Sequence, residues 1–295
     1  MHDKLLETAK NDLKSARILY KEELYPQAVF HFQQSVEKSN KAFGLISQKI
    51  TESMLQNQIG HKPLKIHVHI IKEQKKSFEN YKQLMEQKII SDTSIIKQEQ
   101  LKKYLKEMKN FLRQTKALEK NPEKYVKISK QELQKLIKFV EENFDKLSNI
   151  KPEINFGEEQ AKSLKTDIIK MFSNMKNRYP TQYKKICETV DKLELKDIKE
   201  IGTLLYESLI ILIPTYYSSL ILAYVVQPHS TLSRYPKEEF SPEDFYTPKL
   251  ALVELLPKLI EIQDKAVKGI EGFHKYIKEK NKNAKHSCTK SYADS

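Results

Sequence analysis

Polar side chains that could bind a ligand recur along residues 30–43, which read FHFQQSVEKSNKAF. In a helix, residues three or four positions apart share a face, so Phe30, Gln34, Glu37 and Lys41 should line one face. Amide, carboxylate and ammonium groups in such a row offer hydrogen bonds and charge to a polar ligand. The alternative interpretation is a solvated helix face stabilised by ion pairs between neighbouring turns.

Further candidates for acid–base or anion-binding chemistry lie far from this row. His61 follows a glycine ahead of a predicted helix, and His229 and Arg234 lie in residues 228–236, PHSTLSRYP. Phosphoryl chemistry uses histidine for proton transfer and arginine for the developing charge. His229 and Arg234 could converge on an anion in a turn, but in a helix they would point about 140° apart. The structural alternatives are a helix-entry role for His61 and an ion pair between Arg234 and a carboxylate such as Glu37.

Apolar spacing predicts the helices that position these residues. A first amphipathic helix is marked by Leu6, Ala9, Leu13, Ala16 and Tyr20. Pro26 suits the first turn of a second helix, which should run to about Leu45 with Gly44 as its terminator. Residues 204–226 are the most apolar stretch of the chain. They contain Glu207 and Pro214, which favours a buried central helix over a membrane span.

Residues between these parts have helical periodicity of their own. Apolar stripes are formed by Leu101, Leu105, Met108 and Leu112, by Leu133, Leu136, Val140, Phe144 and Leu147, and by Leu164, Ile168, Met171 and Met175. Ser129 followed by Glu132 predicts a capping box at the start of the second of these helices. The stripes indicate an added helical subdomain and argue against a disordered linker.

Composition narrows the function further. The chain has 295 residues, a net charge of +13, 31% charged residues and only six glycines, which favours helices over sheets. A positive field attracts phosphate backbones, although a general bias toward lysine would give the same charge. No glycine-rich phosphate loop is present, and Cys187 and Cys288 lack a CxxC partner. His67 and His69 would point apart on a helix, so we predict no metal site and no cofactor.

These features together resemble the HEPN domain (higher eukaryotes and prokaryotes nucleotide-binding). The residues that carry the resemblance are Asp12, Leu13, Ala16, Tyr25, Ala28, Gln34, Glu37, Lys38, Lys41, Ala42, Gly60, His61, Arg234, Tyr235 and Pro236. The resemblance implies an all-α fold, a HEPN-like antiparallel helical bundle interrupted by an inserted helical subdomain. We therefore expect a discontinuous bundle from residues 1–75 and 203–278, an inserted basic subdomain at 76–202 and a mobile tail at 279–295.

The resemblance also implies a function. HEPN-like proteins bind nucleotides or act as metal-independent endoribonucleases in defence and toxin–antitoxin systems, often as dimers. The ribonuclease members carry an arginine followed four to six residues later by histidine. None of Arg17, Arg113, Arg178 and Arg234 is followed by histidine at that spacing.

We therefore expect a cytoplasmic homodimer that binds nucleotide or RNA phosphate and has no membrane association, with a nucleotidyltransferase antitoxin as partner. The implied ligand-binding residues are Gln34, Glu37, Lys38, Lys41, Arg234 and Tyr235. The alternative is an endoribonuclease toxin with an altered arrangement of His229, His61 and Arg234.

Overall fold

The computed structural model describes residues 1–84, 98–121, 126–148, 158–173, 175–236 and 238–291. Within these ranges the regular elements are helices, with no β-strand, so the predicted all-α class is confirmed. The longer helices are α1 (His2–Lys21), α2 (Tyr25–Ile46), α4 (Leu64–Leu84), α5 (Gln98–Lys120), α6 (Lys130–Ser148), α7 (Glu158–Met171), α9 (Pro180–Lys192), α10 (Leu195–Val226) and α13 (Leu256–Ser291). The short ones are α3 (Glu52–Met54), α8 (Met175–Arg178), α11 (Pro242–Phe245) and α12 (Ala251–Glu254). A π-helical turn covers Leu55–Ile59 and a 3-10 turn covers Gln227–His229.

The chain divides into two units. The first contains residues 1–68, 115–150 and 210–295, and the second contains residues 69–114 and 151–209. The discontinuous bundle, insertion and tail expected from the sequence remain a prediction, and the bounds of these units differ from it. Residues 115–150 group with the first unit because α6 buries Leu133, Ile137 and Val140 there. Leu136 and Phe144 of the predicted stripe are half-buried, and the side chain of Leu147 lies outside the described part of the chain. Ion pairs also join α6 to neighbouring elements: Lys130 with Glu254, and Glu141 with Lys258. Helix α13 continues to Ser291, within the range expected to be a tail.

The core of the first unit is built around α1 and α2. Helix α1 buries four residues of the predicted stripe, Leu6, Ala9, Leu13 and Ala16, and leaves the fifth, Tyr20, half-buried. Two alanines in that stripe allow the backbones to approach closely, and α1 makes its most extensive contact with α2. Helix α13 packs against both of them. Helix α2 is consequently enclosed on several sides, and its buried residues include the polar side chains Gln33, Ser35, Glu37, Ser39 and Asn40.

Local sequence signals explain where some helices begin and end. Pro26 lies in the first turn of α2 as predicted. Ser129 and Glu132 form the predicted capping box of α6, in which each backbone N–H bonds to the other residue's side chain at 3.2 Å. Gly44 does not terminate α2, which continues to Ile46. An added Cβ at Gly44 would lie 2.4 Å from Ile50 Cδ1, so this glycine is required by close packing.

Helix α10 contains the apolar stretch predicted as a central helix. Within the first unit its buried residues include Pro214, Thr215, Leu222, Ala223 and Val226. The carbonyl of Pro214 accepts a hydrogen bond from Ser218 Oγ at 2.6 Å. Among the helices in the described ranges, none is long and apolar enough to cross a membrane.

The second unit has a small core of its own. Its buried apolar side chains include Leu105, Met175, Val190 and Ile198. Helix α9 contacts both α7 and α8, and the Lys165 ammonium donates to the backbone carbonyl of Asp191 at 3.1 Å. The rings of Phe78 and Tyr104 stack with their centroids 6.1 Å apart.

Candidate functional site

A buried carboxylate on α2 organises the first part of the candidate site. The side chain of Glu37 is only 3% exposed. Its Oε1 accepts from Lys41 Nζ at 2.7 Å and lies 3.0 Å from His61 Nδ1, while its Oε2 accepts from Gln33 Nε2 at 3.2 Å. Burial of a carboxylate is costly unless it is paired and hydrogen-bonded, and these three partners meet that requirement. The row predicted from helical spacing therefore contains a real Glu37–Lys41 ion pair.

His61 reaches this carboxylate from the turn between the π-helical segment and α4. The turn contains Gly60, whose φ of +56° lies in the region that favours glycine. The His61 side chain is 75% exposed, although its Nδ1 faces the buried Glu37. An imidazole that donates Nδ1–H to a carboxylate keeps Nε2 as its second functional nitrogen. The pair therefore combines a buried, oriented acid with an accessible histidine.

A second carboxylate, Asp12 on α1, organises a similar cluster. Its side chain is 12% exposed, its Oδ1 lies 3.1 Å from His31 Nδ1, and its Oδ2 accepts from Lys38 Nζ at 2.5 Å. The His31 and Lys38 side chains are 31% and 24% exposed. Lys38 is one of the ligand-binding residues that the resemblance implies, whereas residue spacing does not indicate His31. Nineteen positions separate His31 from Asp12, and only the packing of α1 on α2 brings them together.

Gln34 lies on α2, the helix that contributes Glu37 to the first cluster and His31 and Lys38 to the second. Its Nε2 donates to Gln33 Oε1 at 2.7 Å, and Gln33 in turn donates to Glu37. The Gln33 side chain is fully buried and Gln34 is partly exposed. The expected row is therefore a continuous polar chain from the surface to the buried carboxylate.

Arg234 lies against the N-terminal part of this α2 face. Its guanidinium carbon is 5.0 Å from the Phe30 ring centroid and 5.5 Å from that of Tyr235. Its Nε and Nη2 both donate to the Ser230 carbonyl, at 3.2 and 2.8 Å. Among the described residues it forms no ion pair with a carboxylate, so the expected pair with Glu37 is not formed. Phe30 also makes an edge contact with the His31 ring, with centroids 5.1 Å apart.

His229, a candidate for proton transfer, lies in the core. It is fully buried, and its Nδ1 is 2.9 Å from the hydroxyl of Tyr246, which is also buried. Burial lowers the pKa of His229 from 6.5 to about 3 and raises that of Tyr246. An imidazole enclosed in this way cannot exchange protons with a ligand at the surface. The structure therefore does not support joint chemistry by His229 and Arg234, and we assign His229 a structural role.

Two buried residues outside α2, His67 and Gln263, make polar contacts with its buried side. Asn40 Oδ1 lies 2.5 Å from Nε2 of His67 on α4, and Asn40 Nδ2 donates to the Val36 carbonyl at 2.8 Å. Burial lowers the pKa of His67 to about 3, an effect that the Ser219 backbone partly opposes. Gln263 Nε2 of α13 lies within hydrogen-bond distance of two α2 serine hydroxyls, Ser35 at 3.1 Å and Ser39 at 2.9 Å. These contacts fix α2, and with it the row that contains Gln34, Glu37 and Lys41.

The comparisons with known proteins bear on the same part of the chain. Residues 2–56 match the family model of the HEPN domain, which covers α1, α2 and the two carboxylates described above. This match confirms the resemblance for that segment, and it does not extend to residues 203–278. At the level of the family it indicates a function related to nucleotides or RNA. Searches of the curated proteins and of the solved structures found no match.

Proposed function

From the HEPN domain model that residues 2–56 match, we propose that this protein binds nucleotide or RNA phosphate at the half-buried face of α2 that carries Gln34, Lys38 and Lys41, with Arg234 as the principal anion ligand. The observation that supports this proposal concerns the contacts of the Arg234 guanidinium. Arg234 has no carboxylate partner in the described part of the chain, yet it is held in place by Phe30 and by the Ser230 carbonyl.

Those contacts leave most of the N–H donors of Arg234 available to an anion. An arginine has five N–H donors in a fixed fork, and the bonds to Ser230 use only two of its nitrogens. A planar fork that is already ordered loses little conformational entropy when it binds an oxyanion. Arginine also binds phosphate in a bidentate manner, which a lysine cannot do.

Neighbouring side chains extend the proposed site in two directions. Tyr235 is 59% exposed beside Arg234, and an exposed ring of this kind can stack on a nucleobase. Along α2, contacts run from Phe30 to His31 and, through Asp12, to Lys38. Gln34, Lys38 and Lys41 therefore offer further donors to a chain of phosphates. The net charge of +13 supports association with a polyanion.

A second candidate function, endoribonuclease activity, is favoured by the Glu37–His61 pair. Its Oε1–Nδ1 distance of 3.0 Å is that of a carboxylate that orients a catalytic imidazole. In this reaction His61 Nε2 would accept the proton of a ribose 2′-hydroxyl. The 2′-oxygen would attack the adjacent phosphorus, and the 5′-oxygen would leave with a proton from solvent, producing a 2′,3′-cyclic phosphate. Lys41, which shares the Glu37 oxygen, would lie beside the phosphate.

One experiment with two readouts tests these functions. A labelled single-stranded RNA is titrated with the protein, and binding is measured by fluorescence anisotropy at a fixed salt concentration. We expect Arg234→Ala to weaken binding about tenfold or more, because a hydrogen bond to a charged group contributes about 1.5–3 kcal/mol. Arg17→Ala, at an exposed position of α1, makes the same change in net charge and should have a much smaller effect. Equal affinities of the two variants would contradict the proposed site.

The second readout is a denaturing gel of the same RNA, run with and without a chelator. Cleavage that persists with the chelator and disappears in His61→Ala, but not in His69→Ala, would establish the ribonuclease function. Binding without cleavage would leave phosphate binding as the function. We also propose, from the family resemblance alone, a homodimer that acts in defence or with a nucleotidyltransferase antitoxin.

A further inference from the structure

Three potential metal ligands meet at the start of α1, away from the face of α2. His2 and Asp3 occupy the first turn of α1, and His274 lies on α13, 271 positions later than Asp3. One ligand atom from each of these side chains lies within 4.8 Å of the others. The spacing of the sequence could not reveal this group, because its members come from opposite ends of the chain.

The individual distances are close to those of a metal centre. His274 Nδ1 lies 3.2 Å from Asp3 Oδ1, and His2 Nε2 lies 3.7 Å from Asp3 Oδ2. Ligand atoms about 2.0–2.2 Å from a tetrahedral zinc ion are separated by about 3.3–3.6 Å. The two observed separations lie close to that range, but each involves a different oxygen of Asp3. A rotation of the exposed Asp3 side chain is therefore needed to bring one of its oxygens and both imidazoles onto one ion. The two imidazole rings meet edge to face, with centroids 4.4 Å apart.

The types of these ligands indicate the kind of ion. Imidazole nitrogen suits zinc, copper, nickel and iron, whereas calcium and magnesium prefer sites built from oxygen. Two histidines and one carboxylate leave at least one coordination position for water or a ligand. The His274 side chain is 12% exposed and His2 is 34% exposed, so α13 supplies a fixed ligand and α1 a more accessible one.

The surroundings contain charges of both signs. An open groove beside the group is lined by several charged residues, among them Glu7, Lys10, Glu271 and Lys278. The positive end of the α1 dipole and the Lys278 ammonium, 3.5 Å from Asp3 Oδ2, both oppose a cation. Glu7 and Glu271 supply negative charge, although Glu271 also binds Lys10 at 2.7 Å. The Lys278 side chain is 57% exposed, so it can leave Asp3 for solvent at little cost.

We propose that His2, Asp3 and His274 bind a divalent transition-metal ion, of which zinc fits the ligand set best. Such an ion would link the first turn of α1 to α13, two helices that otherwise meet here through ion pairs between exposed side chains. The competing description is that Asp3 simply forms ion pairs with His274 and Lys278. This proposal is independent of the one for α2, because the two groups share no residue.

The test uses the full chain without a histidine tag, freed of metal by a chelator and then dialysed. Zinc affinity is measured by competition with a chromophoric chelator, and cobalt(II) replaces zinc to give an absorption spectrum that reports coordination geometry. We expect one saturable site and visible cobalt bands of a four- or five-coordinate ion with nitrogen ligands. Loss of a supporting residue around a metal typically weakens affinity 10- to 100-fold, so loss of a ligand in His274→Ala should cost about 100-fold or more.

Two further variants make the result decisive. His2→Ala removes a ligand from the first turn of α1, where a failure to fold is not expected, and should also abolish the cobalt bands. His69→Ala removes a half-buried histidine outside the group and should bind zinc as the parent protein does. The absence of a saturable site, or equal zinc affinity in the parent, His2→Ala and His274→Ala proteins, would overturn the proposal.

Discussion

Asn40 illustrates how a single polar residue fixes the position of the candidate site. It is fully buried in α2, it donates to the Val36 carbonyl within its own helix, and its oxygen faces His67 on α4. Glu37 lies three residues earlier on the same helix, and His61 lies in the turn immediately before α4. The contact between Asn40 and His67 therefore helps to set the distance between the carboxylate and the imidazole of the proposed catalytic pair.

We expect Asn40→Ala to lower the free energy of unfolding by about 1–3 kcal/mol. The reason is that the buried N–H of His67 would lose its acceptor without gaining water. Urea unfolding followed by circular dichroism would measure the change. The matched control is Asn57→Ala, since Asn57 is exposed and its side chain donates to the Ser53 hydroxyl within the same helical segment. Surface changes of this kind usually alter stability by less than about 0.5 kcal/mol, so equal effects at the two positions would contradict this role for Asn40.

Residue spacing predicts the ion pair that lies within one helix, but it does not predict the contacts that depend on how helices pack. Glu37 and Lys41 are four positions apart on one helix, so their ion pair follows from helical geometry alone. The partners His61 and His31 are held by contacts across 24 and 19 positions, which depend on how helices pack. The structural role of His229 follows from its burial. The sequence of a short segment between two prolines does not reveal whether a histidine within it faces the core.

At the scale of elements, α10 and α13 approach closely at one glycine. A Cβ added to Gly269 would lie 2.1 Å from Thr215 Oγ1 and 3.2 Å from its Cβ. Thr215 is buried and branched at Cβ, so it has few alternative rotamers with which to give way. Three residues further along α13, a Cβ added to Gly272 would meet nothing within 4 Å. The two glycines thus differ in packing while sharing the same helix.

We therefore expect opposite effects from the same substitution. Gly269→Ala should lower the free energy of unfolding by about 1–3 kcal/mol, because overpacking forces the two helices apart. Gly272→Ala should raise it by about 0.5–1 kcal/mol, since alanine restricts the unfolded chain and favours a helix. Thermal and urea unfolding of both variants would measure this. Stabilisation by Gly269→Ala would show that the two helices can separate without loss.

At the scale of the whole molecule, two fully buried histidines link stability to pH. Burial lowers the pKa of both His67 and His229 from 6.5 to about 3. Between these values the unfolded chain binds protons that the folded chain does not. The stability that these two histidines contribute is therefore fully present above about pH 6.5 and is lost as the pH falls toward 3. Each histidine contributes up to about 1.4 kcal/mol per pH unit in this window.

We expect His67→Gln to reduce this dependence. The free energy of unfolding of the parent protein should fall more steeply between pH 7 and pH 5 than that of the variant, because glutamine does not titrate. Urea unfolding at a series of pH values would measure the slopes. His69→Gln removes a half-buried imidazole from the same helix and serves as the control. Parallel slopes for the parent protein and His67→Gln would indicate that folding does not lower the pKa of His67.

The all-α class could be predicted because it follows from composition and from apolar periodicity along each helix. The unit to which residues 115–150 belong could not be predicted, since they contain an amphipathic helix whose partners are determined by tertiary packing. The stripe through Leu133, Ile137 and Val140 would look the same in either unit. The sequence also could not indicate that His2 and His274 would meet.

The π-helical turn at Leu55–Ile59 has a consequence for the evolution of this chain. It closes with a hydrogen bond from the Gly60 N–H to the Leu55 carbonyl at 3.1 Å, one residue wider than an α-helical turn. Deleting one residue would let the turn close as an ordinary α-helix, and the following residue would rotate by about 100° around the axis. His61 would then face away from Glu37 although both side chains were unchanged. Among relatives of this chain, gain or loss of the pair should therefore coincide with single-residue gaps in this turn.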